Sequence, residues 1–257
     1  MQSSATENPS ESSTLDRFRA EVAEDLSILA MLQERELNRE QILSLWENGY
    51  SDFLGLRLSK PAGQDALGLF FHGLTDIPAS LDQSALDLLA AEYADIYLNH
   101  GLGASPCESP WVDEENLAMQ ESMFQVRAAY QRHGLAVPDW RIRADDHLVY
   151  QLQFLSSLIG GDGGEEALKE AAYFMDEHCL RWIDQFAERV ATRCGSRFYA
   201  GLARVTAAYL DEVRDLLERI LELPRLTAEE IAARQPKAVT SQVLPMPSFV
   251  PGSAPTW

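Results

Sequence analysis

The sequence predicts an all-α protein, a single globular bundle of roughly eight to twelve helices with disordered termini. Three observations lead there. Apolar residues recur at three- and four-residue steps along most of the chain, almost no segment alternates with period two, and cap residues and glycines divide the periodic runs. The apolar share, 46% of 257 residues, is ample for a core.

Residues 1–13 are rich in Ser, Glu, Asn and Pro and read as a disordered tail, followed by a helical domain over 14–223. A first helix runs from about Leu15 to Glu36 on Phe18, Val22, Leu26, Leu29 and Leu32. Asn38 with Gln41 makes a capping-box-like start for a second, which stops at Asn48-Gly49. Gly55, Pro61, Gly63, Gly68, Gly73 and Pro78 predict turns over 50–78. Ser80, with Gln83 in third position, starts a helix carrying Leu86, Leu89, Tyr93, Ile96 and Tyr97 and ending at His100-Gly101. A loop follows over 101–113, then a helix from about Glu114 to His133 that Gly134 ends. After Pro138, Asp145 or Asp146 caps the helix that reaches Ile159.

Gly160 to Gly164 lacks the Lys-Ser/Thr of a phosphate loop and follows no strand, so it reads as a flexible connector. Helices then cover about Glu165–Glu177, Leu180–Arg193 and Ser196–Leu223. Six prolines over 224–257 predict a largely disordered tail after a short helical piece near Thr227.

Forty acidic residues against 21 basic give a net charge of −19, and no basic cluster is present to hold a phosphate backbone or an anionic membrane. A cationic partner suits this field, though the same acid excess also serves solubility. Cys107, Cys179 and Cys194 have no C-x-x-C spacing, which points to a reducing compartment and no disulfide framework. With no signal peptide and no run of membrane-spanning length, the expectation is a soluble, cytoplasmic protein.

Little in the chain promises catalysis. The five histidines are scattered, and adjacent residues such as Asp145, Asp146 and His147 point in different directions on a helix, so they cannot together chelate one ion. No G-x-S-x-G elbow is present, and Cys107 reads as an ordinary semi-buried thiol. In Asp145-Asp146-His147 one carboxylate can cap the helix. The other, with the imidazole, would then face a cleft and offer an acceptor and a titratable donor to Arg or to peptide backbone; alternatively both carboxylates only cap. Trp111, in a Pro-bounded loop, either roofs a pocket and stacks on a cation or anchors the core.

Several segments resemble the TorD/DmsD family of redox-enzyme maturation chaperones. They are Glu92-Tyr93 through Tyr97 to Gly101 and Gly103; Ser105-Pro-Cys-Glu108-Ser109-Pro-Trp111-Val-Asp113; Glu121-Ser122; His133-Gly134-Leu135; Ala144-Asp145-Asp146-His147; Glu177-His178 through Trp182 to Phe186; and Phe198-Tyr199 to Ala203. The resemblance spans about Leu15 to Leu223. Departures fall at Cys107, Gln120, Ala144 and Arg181, where the family often has an aromatic, Gly, Pro and Pro. The resemblance implies a cytoplasmic, non-enzymatic, all-helical chaperone with no cofactor of its own. Its partners would be the twin-arginine signal peptide and the apo form of a molybdopterin-dependent oxidoreductase. It places signal-peptide binding at Asp146, His147, Trp111, Glu121, Gly101, Gly103 and Asp145. The alternatives are an assembly subunit of a redox complex, like the nitrate reductase delta proteins, or a metal-dependent hydrolase built on Asp-Asp-His. The client, and the choice between monomer and dimer, stay open.

Overall fold

The longest apolar repeat in the sequence forms the centre of the molecule. In a computed structural model, which describes residues 9–48, 53–99 and 101–235, the elements are all helical: α1 Pro9–Glu34, α2 Arg39–Asn48, α3 Pro61–Asp76, α4 Gln83–Tyr97, α5 Ser109–Val112, α6 Glu121–Arg132, α7 Leu148–Gly160, α8 Gly164–Glu177, α9 Ile183–Arg193, α10 Arg197–Leu221 and α11 Ala228–Arg234, with a 3-10 turn at Cys179–Arg181. The expected all-α fold is what forms: among the described residues the only β-type pairing is an isolated bridge between Cys107 and His147. Ser196 caps α10, whose side chains Phe198, Leu202, Val205, Tyr209, Leu210, Val213 and Leu217 are all buried. It packs against α3 on one side and α9 and α8 on others, while α1 pairs with α7.

Several boundaries differ from the sequence expectation. α1 begins at Pro9, so 9–13 are helical rather than tail; proline at a first helical position gives up no helix hydrogen bond and presets φ. Residues 1–8 and 236–257, read as disordered, lie outside the described residues, as do Gly49 and His100. Asp82, not Ser80, caps α4, accepting from Ala85 N at 3.0 Å. The expected helix start at Glu114 moves to Glu121, because Asn116 and Met119 take left-handed backbone with φ of 52° and 60°. The box at Asn38 forms in both directions, 3.0 and 2.9 Å, and Thr227 caps α11 by a full box with Glu230.

The largest departure is α3, sixteen helical residues where glycines predicted turns. Its Gly73 is a contact surface. A Cβ on Gly73 would be driven into the backbone of Phe198, and a Cβ on Gly201 into the backbone of Phe70. The two helices cross in backbone contact, and Phe70 stacks between Phe53 (4.6 Å) and Phe198 (5.2 Å). Burial of that face outweighs the intrinsic cost of glycine in a helix, about 1 kcal/mol each.

Two buried carboxylates tie the helices together. Asp25 of α1 accepts from Gly55 N, Leu56 N and Tyr209 Oη at 2.7–2.9 Å, holding the 53–56 turn. Asp176 of α8 takes a bidentate pair from Arg214 of α10 at 2.9 and 2.8 Å and a further bond from Leu226 N.

Candidate functional site

The loop before α5 is zipped onto the start of α7. Glu108 N donates to Asp146 O at 3.1 Å, and Leu148 N to Pro106 O at 2.8 Å. This antiparallel bridge brings 105–111 and 145–147 together although they are distant in sequence.

Each member of the Asp-Asp-His triplet then has a different task. His147, not Asp145 or Asp146, caps α7: its Nδ1 accepts from Val149 N at 3.2 Å. Asp145 is held by Arg127 of α6 through both oxygens, at 3.2 and 2.8 Å, and its carbonyl accepts from Tyr130 Oη. Asp146 accepts from Ser109 N at 2.8 Å and Ser109 Oγ at 2.5 Å. None of the three lines an open cleft; Asp146 is fully buried, and Asp145 and His147 are only 2% and 5% exposed. The cleft-facing expectation is corrected here. The pattern assigns a cap to whichever residue opens the helix, but the carboxylates meet partners 37 and 18 residues away.

The remaining expected residues join the same wiring. Trp111 is half-buried, its Nε1 donates to Ser105 O at 2.8 Å, and the Arg189 guanidinium sits 4.3 Å over its ring. It does stack on a cation, one from its own chain. Arg189 also donates to Gly103 O at 3.0 Å, pinning the exposed Gly101–Gly103 turn, where Gly103 has φ +59°. Glu121 is exposed at the first position of α6, where a carboxylate favours the helix dipole.

Glu108 was not among the expected site residues, yet it is fully buried at the centre. It accepts from Gln151 Nε2 at 2.8 Å, meets His178 Nδ1 at 3.1 Å and has the Arg181 guanidinium 3.9 Å away. Arg181, a departure from the family pattern, thus supplies a cation to this buried acid. None of these three partners is close in sequence, so no local signal gave Glu108 a role. Cys107 lies at the bridge; burial, and then the charge of Asp146, push its thiol well above its ordinary value.

A polar string runs outward from Asp146. Ser109 Oγ and Ser122 Oγ are 3.0 Å apart, and Ser122 donates to Asp113 at 2.5 Å. Two hydroxyl protons must serve three contacts. With Asp146 ionised, Ser109 Oγ donates to it and Ser122 has one proton for both Ser109 and Asp113; with Asp146 protonated the direction reverses, Asp146 donating to Ser109, Ser109 to Ser122 and Ser122 to Asp113, and every contact is met. Burial acts in the same direction, raising Asp146 to about 6, with Glu108 adding to the rise and the Ser109 bonds opposing it. Because the folded value exceeds the ordinary 3.8, the folded state holds this proton more tightly. The stability it contributes is complete below about pH 4 and is lost as pH rises towards about 6. In urea titrations, Asp146→Asn should therefore gain on the parent between those values by up to roughly 1.4 kcal/mol per pH unit and run parallel above about pH 7. Curves parallel from pH 4 upward would show an ordinary Asp146.

The string positions the loop 113–120. Gln120 N bonds Ser109 Oγ at 3.3 Å, and Asn116 Nδ2 bonds the carbonyls of Pro110 and Asp113. Leu117 and Met119 of this loop and Phe124 of α6 are exposed by 55, 41 and 49%, the Arg127 guanidinium lying 5.2 Å from the Phe124 ring, and Glu114, Glu115 and Glu121 are exposed as well. The described residues provide no ion-pair partner for those three acids. Among the described residues no group of His, Cys, Asp and Glu is arranged to hold a metal, and no helix is long and apolar enough to cross a membrane.

The chain is similar to several known proteins. Residues 60–188, half of the chain, match the family described as nitrate reductase delta subunit. The Chaperone protein TorD of Vibrio vulnificus (strain YJ016) is 28% identical over 201 residues, 75% of this chain and 92% of that protein. The TorD of Photobacterium profundum is 24% identical over 200 residues, again 92% of its length. The TorD of Vibrio cholerae serotype O1 (strain ATCC 39541) is 28% identical over 142 residues, 52% of this chain and 64% of that protein, so the alignment spans less than two thirds of it.

Proposed function

Because this chain belongs to the TorD-like nitrate reductase delta subunit family, we propose that it is a cytoplasmic chaperone, not an enzyme, for a molybdoenzyme precursor. It binds the precursor's twin-arginine signal peptide and holds the apo form for molybdopterin cofactor insertion before export. The observation that carries this reading is the exposure, within residues 114–124, of Leu117, Met119 and Phe124 together with Glu114, Glu115 and Glu121, which we read as one acid-edged apolar face. Two guanidiniums followed by an apolar stretch are the chemical complement of such a face. Asp145, Asp146 and His147 act beneath it as positioning residues, holding the loop through Ser109, Ser122 and Arg127. Trp111, Gly101 and Gly103 hold the adjoining turn.

Calorimetric titration with leader peptides of the host's molybdoenzymes tests this. One leader should bind saturably and weaken when its arginine pair becomes alanine. The triple change Glu114→Gln, Glu115→Gln, Glu121→Gln should weaken it by about ten-fold or more, since each rim charge contributes up to about 1 kcal/mol. Full affinity in the triple variant would remove the leader from this face; absence of binding to every leader would remove the leader reading itself.

The family's description as a subunit favours a second reading, an assembly subunit of a redox complex. Stable co-purification with a mature, cofactor-loaded enzyme would favour it over the chaperone.

A further inference from the structure

We propose that the surface around α6 is a self-complementary docking face, through which this chain pairs with a second copy of itself about a two-fold axis. Two adjoining stretches of opposite charge carry the argument. Residues 113–121 hold four acids, Asp113, Glu114, Glu115 and Glu121, and no base. Residues 122–143 hold Arg127, Arg132, Arg141 and Arg143 against Asp139 alone. At the chain's own composition that second stretch would carry about two bases and three acids, so its balance is the reverse of the chain's.

The same region is apolar at its surface. Ten large apolar side chains stand exposed among the described residues, and five of them fall here: Leu117, Met119, Phe124, Leu135 and Ile142, the last exposed by 85%. Exposed apolar groups gathered in one region mark an interaction surface.

The two stretches meet in space along α6. The Asp113 carboxylate accepts from Ser122 Oγ of its first turn at 2.5 Å, and Glu121 lies one turn before Phe124. The Arg127 guanidinium lies 5.2 Å from the Phe124 ring and 5.1 Å from the Trp140 ring, and the Arg141 guanidinium stands 4.8 Å over Trp140. From Glu121 to Arg127 the helix advances about 9 Å, so an acidic end and a cationic, aromatic corner sit side by side.

Charge selects the occupant. Three of the arginines are engaged within their own chain: Arg127 with Asp145, Arg132 with Glu170 and Arg143 with Glu34. Arg141 has no carboxylate partner among the described residues, and Glu114, Glu115 and Glu121 have no cationic one. A wholly acidic partner would repel those three acids, and a wholly basic one would repel Arg141. A partner carrying both signs in the reverse order suits both, and this chain is such a partner. A two-fold interface makes each contact twice, so antiparallel α6 helices would set Arg141 of each copy against the acidic end of the other. For two chains of net charge −19, which repel at a distance, this arrangement brings opposite charges together at the contact.

The corner thereby offers Arg141, Ile142 and Arg143 to the face assigned above to the leader, and a leader would compete with the second copy. That competition rests on the function proposed above; the pairing does not.

Sedimentation velocity of the full chain, from about 1 to about 200 μM, tests the pairing. The parent should form a concentration-dependent dimer. Ile142→Asp and Arg141→Glu each change an exposed side chain, so both should keep the parent's helicity. Each should raise the dimer dissociation constant by at least about ten-fold. Adding Glu121→Arg to Arg141→Glu should bring the constant back to within about three-fold of the parent, because the contact re-forms with its signs exchanged. Three results would each overturn the proposal: a parent that stays monomeric throughout, a dimer that both single variants leave intact (as exchange of helices would give), or a double variant no better than Arg141→Glu. The readout needs no client peptide, so failure of leader binding and failure of this proposal are told apart.

Discussion

Gly201→Ala is expected to destabilise the protein by about 3 kcal/mol or more. The new Cβ would meet Phe70 Cα, Phe70 N and Leu69 C, which are backbone atoms of α3 and cannot rotate away. Relief requires α3 and α10 to separate, and that opens the aromatic stack of Phe53, Phe70 and Phe198 at the heart of the core. Gly73→Ala should behave alike, because its Cβ would meet the Phe198 backbone from the opposite side. Gly68 is the internal control. It stands on the same helix, and a methyl added there would meet nothing within 4 Å, so Gly68→Ala should be neutral or stabilising by about 0.5–1 kcal/mol. Urea midpoints of the three variants decide the matter; a Gly201→Ala midpoint equal to that of Gly68→Ala would refute backbone contact between these helices.

Arg214→Leu is the second large effect. The guanidinium and the Asp176 carboxylate are 0% and 3% exposed and bonded through two parallel contacts. Removing the cation leaves a buried charge with one remaining donor, Leu226 N, at a cost of about 3–5 kcal/mol. The double variant Arg214→Leu with Asp176→Leu removes both charges and should recover most of that loss, because the desolvation penalty disappears with the pair. A double-mutant cycle in urea measures the coupling. If the double variant is no more stable than Arg214→Leu alone, Asp176 is not the group left stranded. The single variant should also loosen 223–226, which leads into α11, since Arg214 donates to Leu223 O as well.

Much of the fold was legible because helices announce themselves locally. The spacing of Phe198, Leu202, Val205, Tyr209 and Val213 defines a face from one stretch of chain, and that face is the one buried in α10. The box at Asn38 needs only residues three positions apart. α3 was not legible, because its glycines read as breakers until their partner was known: Gly73 is explained by Phe198 and Gly201 by Phe70. The same limit applied to the candidate site. Asp145, Asp146, His147 and Trp111 stood out by type, but cap, ion pair and buried acceptor look alike in a triplet. Glu108 was quoted in a motif but given no role, because His178 lies 70 residues on.

By itself the sequence determined the helical class, the order of most helices, the acid excess and the motif order that identifies the family, all properties carried by neighbouring residues or by composition. Only the tertiary structure decided that His147 caps α7, that Asp146 is buried against Ser109, and that Leu117, Met119 and Phe124 stand exposed. The physical reason is range. Helix periodicity and capping act over three to seven residues, whereas burial and the pairing of buried charge depend on which distant surfaces the fold brings into contact.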